Sequence, residues 1–158
     1  MTENNTDLLA GPIDLARYFS GAWQLTRRIV DERAGLTGRL IGTARFTPAD
    51  TDLVYDETGQ MLYGAHDGVA TQSYRWHLPT PHRAEIQFRD GRLFHVLDLS
   101  AGTGSMTGGI RRVTASHDCA PDRYEGRYRL LTANSWSLAW RIEGPRKAMT
   151  IVSRYRRA

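Results

Sequence analysis

The sequence has a single cysteine, Cys119, in 158 residues, so no disulfide can form within the chain. Stable disulfides mark oxidising compartments, and a lone cysteine therefore indicates a reducing cytoplasm. The opening segment, Met1–Phe19, lacks the basic stretch followed by an apolar core that defines a secretory signal peptide. No apolar run approaches the roughly 20 residues that a membrane helix needs. We therefore expect a cytoplasmic protein without a membrane partner.

The motifs of nucleotide and metal sites are also missing. The glycine-rich stretch 101–109 has no following helix and no P-loop lysine, which argues against a Rossmann or Walker site. His117 and Cys119 supply two candidate metal ligands, whereas a zinc site needs at least three protein ligands. His117 and Cys119 are two positions apart on a predicted strand and so share a face, but this spacing does not fix the geometry that proton transfer from a cysteine nucleophile to its base requires. The sequence predicts no metal site.

Positive charge exceeds negative charge, with a net charge of +4 and a pI near 9.6. The arginines are scattered over nearly every predicted strand and are densest at Arg154, Arg156 and Arg157. Proteins that bind nucleic acid usually concentrate their basic residues in one stripe or tail. We therefore expect no nucleic-acid partner, and interpret the excess as solvated surface charge or as attraction for an anionic small molecule.

Short alternating apolar and polar runs, separated by turn residues, fill the chain from Ser20 onward. About nine or ten such runs recur at spacings of roughly 8–12 residues, which is typical of a β-sandwich or barrel. Asp90-Gly91 predicts a type I′ hairpin turn, and Thr58-Gly59 predicts another hairpin. We expect residues 1–10 to be disordered, and residues 11–158 to form one all-β domain with a short N-terminal helix. The predicted architecture is a closed or nearly closed antiparallel barrel of about 8–10 strands.

The first and last predicted strands carry a pattern suited to closing one end of such a barrel. Gly21 lets another backbone approach closely, and Trp23 on the same strand offers a large indole as a plug. A guanidinium from the basic last strand can lie on the face of that indole. We predict that Gly21 and Trp23, together with Arg154 or Arg156, close the barrel base.

Several aromatic, histidine and basic residues fall where they could line a cavity. His95 lies mid-strand among leucines, and it is either a core histidine with a hydrogen-bond partner or a cavity-lining donor, base or metal ligand. His117 is either bonded locally at a strand end or part of a ligand site. Glu57 and Asp90 are assigned to turns or the surface. The candidate ligand-binding residues are Arg27, Tyr74, Trp76, His95, His117, Tyr128 and Lys147.

Several blocks of the sequence resemble a family of small bacterial and fungal domains of unknown function. These blocks are Phe19–Ile29, Tyr74-x-Trp76, Phe88–His95, His117–Tyr124 and Trp140–Lys147, and the likeness spans about Ala16 to Arg156. The Gly-x-Trp start and the basic end are similar to those of the calycin superfamily, which includes lipocalins, fatty-acid-binding proteins and haem-binding nitrobindins. This resemblance implies a calycin-like barrel and makes haem a candidate cofactor, whereas the missing signal peptide and disulfides argue against an extracellular carrier.

Four functional interpretations stay open from the sequence. The leading one is a cytoplasmic barrel that binds a small, mostly apolar ligand, with Arg27 or Lys147 meeting its polar or anionic end. The second is an enzyme that uses His95 or His117 as a general acid or base, oriented by Asp98 or Asp122. The third is a haem-binding barrel with one of these histidines as axial ligand. The fourth is a structural role in which two barrels associate as a homodimer through an exposed edge.

Overall fold

The computed structural model describes residues 5–158, with side chains from Leu8 onward. Two short helices precede eleven strands. The elements are α1 (Asn5–Ala10), α2 (Leu15–Phe19), β1 (Gly21–Asp31), β2 (Leu36–Ala49), β3 (Asp52–Tyr63), β4 (His66–Thr80), β5 (Arg83–Gln87), β6 (Leu93–Asp98), β7 (Ser105–Thr107), β8 (Ile110–Cys119), β9 (Asp122–Thr132), β10 (Ser135–Gly144) and β11 (Lys147–Arg157).

All eleven strands belong to one antiparallel sheet, in the order β6-β5-β4-β3-β2-β1-β11-β10-β9-β8-β7. The first strand pairs with both β2 and β11, which joins the two ends of the chain. The sheet curls until Cα atoms of β6 and β8 come within 8 Å of each other. The described strands form no backbone ladder at this seam. The prediction of a nearly closed antiparallel barrel is confirmed, with one strand more than the expected range.

One end of the barrel is filled by α2 and the aromatic side chains around it. Asp14 caps this helix by accepting a hydrogen bond from the Arg17 amide at 3.0 Å. Phe19, at the last position of the helix, is fully buried and lies 5.0–5.4 Å from the rings of Phe46, Trp76 and Trp136. This packing makes the base a solid aromatic core, so that free volume can lie only further along the barrel.

The arginine that closes the base is Arg157, and the prediction of Arg154 or Arg156 is wrong. The Arg157 guanidinium lies 3.9 Å from the centre of the Trp23 ring and donates to the carbonyls of Tyr18 and Ser20 at 2.8 and 2.7 Å. Strand alternation explains the difference, because Arg154 and Arg156 point outward. Gly21, at φ +109°, takes a backbone conformation that favours glycine beside this guanidinium.

The N-terminal segment is more ordered than predicted. Residues 1–4 of the segment predicted to be disordered lie outside the described residues, but Asn5–Ala10 forms α1 and Leu9 is fully buried. Arg111, only 2% exposed, donates to the carbonyls of Leu9, Ala10 and Gly11 at 2.8–3.2 Å. Its other donors reach oxygens in the loop after β6, at Ser100 and Thr103. This buried cation thus ties α1 to the barrel through neutral carbonyl groups.

Two predicted hairpin turns differ from the structure. Thr58-Gly59 lies inside the continuous β3, where Gly59 is directly opposite Gly42 of β2. A Cβ on Gly42 would come within 2.0 Å of the Thr58 carbonyl oxygen, so these glycines let the two strands bend tightly against each other. Asp90-Gly91 does connect β5 to β6, but only Gly91 has a positive φ, whereas a type I′ turn needs two such residues.

Candidate functional site

The barrel encloses a cavity of about 730 Å³ between the aromatic base and the opposite end. Most of its wall is aromatic or aliphatic, and the polar groups fall into separate clusters. The side chains that line it include Arg27, Ile29, Leu40, Tyr55, Glu57, Met61, Tyr74, Trp76, Ile86, Phe88, Phe94, His95, His117, Tyr124, Tyr128, Trp136, Leu138, Trp140, Ile142, Ile151, Ser153 and Tyr155. A cavity of this size and composition is typical of small-molecule sites.

A β-bulge in β6 positions the histidine of the site. Ile86 pairs with His95, but the next residue of β5, Gln87, pairs with Leu93, which leaves Phe94 as an extra residue. A bulge breaks the simple alternation of a strand and re-aims a side chain. As a result, the consecutive residues Phe94 and His95 both line the cavity, with ring centroids 4.5 Å apart. Leu93, which alternation alone would put inside, is 52% exposed.

His95 is buried, with a relative exposure of 4%, and only one of its ring nitrogens has a partner. Nε2 lies 2.6 Å from the Tyr128 hydroxyl, whereas Nδ1 has no hydrogen-bond partner. If Tyr128 donates to Nε2, the ring proton is on Nδ1 and is the one donor left unpaired. If Nε2–H donates to the Tyr128 oxygen instead, both the buried phenol proton and the Nδ1 lone pair are left unpaired. The neutral ring therefore keeps an unpaired Nδ1–H that is itself shielded from solvent, in a side chain that lines the cavity.

The surroundings of His95 keep the imidazole neutral. Burial disfavours the imidazolium, and the neighbouring His117 adds to this effect, so that the pKa of His95 falls to about 3. Trp140 and Phe94 lie edge-on to the imidazole at 4.9 and 4.5 Å. A histidine held in this state is a hydrogen-bond donor at neutral pH and not a cation.

A stack of three aromatic rings forms the wall next to this histidine. Trp136 lies parallel to Tyr155 with ring centroids 3.8 Å apart, and its other neighbour in the stack is Tyr128 at 6.1 Å. The Trp136 indole Nε1 is buried and has no hydrogen-bond partner. Burial also raises the pKa of Tyr128 well above its ordinary value, so that phenol stays protonated. Two unpaired N–H groups therefore belong to one stretch of wall.

The second polar cluster is an ion pair between Arg27 of β1 and Glu57 of β3, the two strands that flank β2. Both guanidinium NH groups bind the carboxylate, at 2.6 and 2.8 Å, and Arg27 Nε donates to Ser153 Oγ at 2.8 Å. Burial is the largest single effect and lowers the pKa of Arg27. Hydrogen bonding to Glu57, together with attraction to Tyr155, Glu57 and Tyr55, more than offsets it and raises the pKa of Arg27 above its usual range. The pair contributes no net charge to the cavity wall.

Two tyrosines complete this cluster. Tyr55 donates to the Glu57 carboxylate at 2.5 Å and lies 2.9 Å from the Tyr155 hydroxyl. Burial raises the pKa of Tyr55 and Tyr155, and it raises the pKa of Tyr74 in the same wall to about 12. All three phenols are therefore protonated at physiological pH. Because the charges of Arg27 and Glu57 already meet each other, the cluster fixes the wall and leaves little for an incoming charge.

The open end of the cavity is framed by half-buried and exposed residues. The His117 ring lies 5.2 Å from Phe94 and 5.3 Å from Tyr124, and no hydrogen bond reaches it from any residue between Leu8 and Ala158. Cys119 lies at the same rim, and its side chain is exposed. This rim is where a molecule would enter the cavity.

Of the seven candidate ligand-binding residues, six line this cavity and Lys147 does not. Lys147 is exposed and lies 3.3 Å from Asp122, because its strand starts beyond the rim. Asp122 is thereby engaged away from the histidines, and Asp98 accepts hydrogen bonds from Ser100. Within the described residues neither carboxylate is bonded to a histidine, so the proposed acid–base pairs are not formed.

Sequence patterns did not identify several of the lining residues. Glu57 was expected in a turn or on the surface, but it is 6% exposed and faces inward. The alternation of Leu53, Tyr55 and Glu57 was a signal for this orientation, since strand residues two apart share a face. Trp136 and Phe94 had no such signal. Predicting that Trp136 lines the cavity requires the order of strands around the barrel, and predicting the same of Phe94 requires the bulge in β6.

The fold and its cavity define an antiparallel β-barrel with an enclosed internal site. The chain belongs to a family of unknown function, DUF6314, whose model matches residues 19–157. This confirms the resemblance to a family of uncharacterised small domains. No functionally curated protein shows significant sequence similarity to the chain.

Solved structures resemble this barrel at low sequence identity. Rv2717c from M. tuberculosis has a TM-score of 0.60 and 13% identity, over 89% of this chain and 93% of that one. The S-type phycobiliprotein lyase CPES from Guillardia theta has a TM-score of 0.52 and 9% identity, over 89% of both chains. A de novo designed fluorescence-activating β-barrel has a TM-score of 0.47 and 18% identity, over 92% of this chain and 99% of the design. At these identities, the likeness to Rv2717c and to the lyase shows a shared fold alone.

In the part of the chain that the structure describes, neither helix has the length and apolar character needed to cross a bilayer.

Proposed function

We propose that the protein binds a small, mostly apolar and uncharged molecule inside the barrel, with a hydrogen-bond acceptor of that molecule directed at His95. The cavity of about 730 Å³ with its largely aromatic wall is the observation that carries this proposal. Aromatic and aliphatic walls favour apolar ligands, and a few unpaired polar groups fix the orientation of the ligand.

The charges around the cavity favour a neutral ligand over an anionic one. Arg27 is already bound by both oxygens of Glu57, and Lys147, the other candidate for an anionic group, is outside the cavity. An anion at Arg27 would therefore compete with Glu57 for a buried guanidinium, and breaking such a pair typically costs several kcal/mol. Arg92, the other arginine of the lining, is exposed and already paired with Asp90 at 2.7 Å. The anionic end considered from the sequence is replaced in this proposal by a neutral acceptor such as a carbonyl or ether oxygen.

The unpaired donors explain why the acceptor would lie near His95. A buried N–H without a partner costs about 1–3 kcal/mol, which an acceptor on the ligand would recover. His95 Nδ1 and Trp136 Nε1 are the buried side-chain polar atoms without a partner among residues 8–158. Both nitrogens are shielded from solvent, so an acceptor would reach His95 Nδ1 with a shift of the neighbouring side chains. The remainder of the molecule would then lie against Phe94 and Trp140, whose rings are 4.5 and 4.9 Å from the imidazole.

A matched pair of fluorescent probes tests this proposal. N-phenyl-1-naphthylamine is neutral, and 8-anilinonaphthalene-1-sulfonate has the same rings with an added anion. We expect the neutral probe to bind at one site with enhanced fluorescence, and the sulfonate to bind more weakly. Native mass spectrometry of the purified protein would show whether a molecule of similar polarity is carried along.

Two variants on one strand provide the control. Leu138 lines the cavity and the next residue, Ala139, faces outward. Leu138→Trp should fill the space and abolish probe binding, while Ala139→Trp should leave binding intact. Equal probe binding by both variants, or tighter binding of the sulfonate than of the neutral probe, would contradict the proposal.

Haem is a second candidate, favoured by the position of His117. An axial ligand needs an imidazole nitrogen free to meet the iron, and His117 lies half-buried at the cavity rim without a hydrogen bond from residues 8–158. Hemin added to the apoprotein should give a Soret shift that His117→Ala loses and His95→Ala keeps. The absence of a shift would remove this candidate and leave the neutral-ligand proposal untouched.

A further inference from the structure

The barrel carries a band of arginines on its outer wall that the cavity does not use. Twenty of the 21 basic residues, excluding histidine, are arginines and one is a lysine. Along the sequence they are dispersed, but strand register brings six of them together across β8, β9, β11, β1 and β2. These residues, here called the arginine band, are Arg28, Arg39, Arg112, Arg129, Arg154 and Arg156.

The register places like charges side by side in this band. Arg28 is directly opposite Arg39, and Arg112 is directly opposite Arg129. Arg129 and Arg154 both pair with Ser137 of β10, one from each side. Like charges directly opposite one another on a sheet are destabilising. These pairs of arginines therefore lower the stability of the folded protein and are not explained by folding.

No carboxylate neutralises these arginines. None of the six forms an ion pair with a carboxylate among the residues the structure describes, whereas Arg75 and Arg141 do so elsewhere on the barrel. Arg127, which lies beside the band on β9, is paired with Glu125 and is therefore not counted in it. Ser137 points outward between two of the band arginines and is nevertheless only 9% exposed, which fits long side chains lying flat across the strand. The positive charge of the band is thus available to an external anion.

The shape of the band indicates what kind of anion fits. From β8 to β2 it crosses six adjacent strands, a span of about 24 Å at the usual strand spacing of about 4.8 Å. The wall is convex along this direction, because the sheet curls around the cavity. A flat membrane would touch such a surface over only part of its width, whereas a flexible chain can follow the curve. Guanidinium forks suit the repeated phosphates of such a chain.

We propose that the arginine band binds the phosphate backbone of a single-stranded nucleic acid, without regard to base sequence. The residues between the band arginines are small or aliphatic, namely Thr26, Ser137, Ala139 and Val152. They offer no aromatic platform on which a base could stack. The scatter of arginines along the chain predicted no such partner, and only the strand register reveals the cluster.

Fluorescence anisotropy with a labelled 20-nucleotide oligothymidine and a mixed-sequence RNA of equal length tests this site. We expect similar affinities for both, falling steeply between 50 and 200 mM salt. Arg129→Gln/Arg154→Gln should weaken binding and lower the slope of log affinity against log salt by about 1.4, or roughly 0.7 for each single-strand phosphate that no longer meets a guanidinium. Thermal unfolding should show this variant to be no less stable than the wild type.

The matched control removes the same charge elsewhere. Arg33 and Arg146 are exposed in turns at the rim end of the barrel, and Arg33→Gln/Arg146→Gln should change affinity and slope little. Equal weakening by both double variants would overturn the proposal in favour of general charge attraction. Absence of oligonucleotide binding at 50 mM salt, or binding to vesicles of 30% phosphatidylserine without binding to either oligonucleotide, would overturn it as well.

Discussion

At the scale of single residues, the chain keeps unusual polar groups in a largely apolar interior. The Arg27–Glu57 pair is bidentate, buried and linked to Tyr55 and Ser153. Such a pair is costly to break from one side, since the remaining charge has no partner and little water. It is therefore a structural clamp between β1 and β3, on the wall of the cavity.

Glu57→Leu should destabilise the protein by about 3–5 kcal/mol, because it leaves the Arg27 guanidinium unpaired in the wall. Arg27→Met/Glu57→Leu should cost less than the single change, because no charge is then left buried. Urea unfolding of the three proteins at pH 7 measures the difference. A double variant that is less stable than Glu57→Leu would show that an unpaired Arg27 guanidinium is not costly in this wall.

His95 makes a specific contribution to the pH dependence of stability. Its pKa is about 3 in the folded protein, against about 6.5 in an unfolded chain. Between these values the unfolded state binds more protons, so stability is complete above pH 6.5 and is lost as the pH falls towards 3. The loss attributable to this residue from pH 7 to pH 5 should be about 2 kcal/mol.

His95→Gln is the variant that tests this contribution. Glutamine does not titrate, so the free energy of unfolding of the variant should fall by about 2 kcal/mol less than that of the wild type between pH 7 and pH 5. Urea titrations at the two pH values give both numbers. Parallel losses in the two proteins would mean that His95 is charged in the folded state.

At the scale of elements, close contacts between strands determine how the sheet bends. Gly42 and Gly59 face each other across β2 and β3, and Gly126 of β9 leaves room for the Trp140 ring, which would lie 2.7 Å from an added Cβ. A side chain at these positions would push a strand or an indole away from its neighbour. The curvature that creates the cavity depends on such missing side chains.

Gly42→Ala should therefore destabilise the protein by about 1–3 kcal/mol or more, since the obstacle is the Thr58 carbonyl and not a flexible side chain. Gly11 is the matched control, because an added Cβ there meets nothing within 4 Å. Gly11→Ala should stay within about 0.5 kcal/mol of the wild type. Chemical denaturation distinguishes the two, and equal effects would show that glycine flexibility matters here and not packing.

These elements also show how far sequence patterns reach. Alternation grouped Trp23 with Arg27 on one face of β1, and Tyr74 with Trp76 on one face of β4, since it depends only on neighbours two residues apart. The structure shows that these are the inner faces. It failed at β6, where the bulge puts Phe94 and His95 into the cavity together, because a bulge depends on the pairing strand. Alternation did not decide between Arg157 and its neighbours, because it tells which residues share a face but not which face is inner. The pairing of Arg157 with Trp23 across β11 and β1 provides that answer.

At the scale of the whole molecule, the sheet is curled but has two edges. The strands β6 and β8 approach each other without a backbone ladder in the described sheet, whereas β1 and β11 are paired on both sides. Backbone amides at an unpaired edge are protected by fewer hydrogen bonds. Stability should therefore be distributed unevenly around the barrel.

Hydrogen exchange followed by mass spectrometry should reveal this gradient. Peptides from β6 and β7 are expected to exchange first, and those from β1, β10 and β11 last. A cavity ligand such as N-phenyl-1-naphthylamine should slow exchange in β6, because His95 and Phe94 lie on that strand. Protection of β6 equal to that of β1 without ligand would indicate that the seam is in fact closed by hydrogen bonds.

The carbonyl oxygens that accept hydrogen bonds from Arg111 come from two parts of the chain, one of them before the first strand. The family match begins at residue 19, yet three of the oxygens that hold the buried guanidinium come from Leu9, Ala10 and Gly11. A chain begun at residue 19 would keep all eleven strands and lose these acceptors, leaving a cation in the protein interior with only the loop oxygens of Ser100 and Thr103. Part of the hydrogen-bond shell of this buried guanidinium thus lies outside the segment that the family model matches.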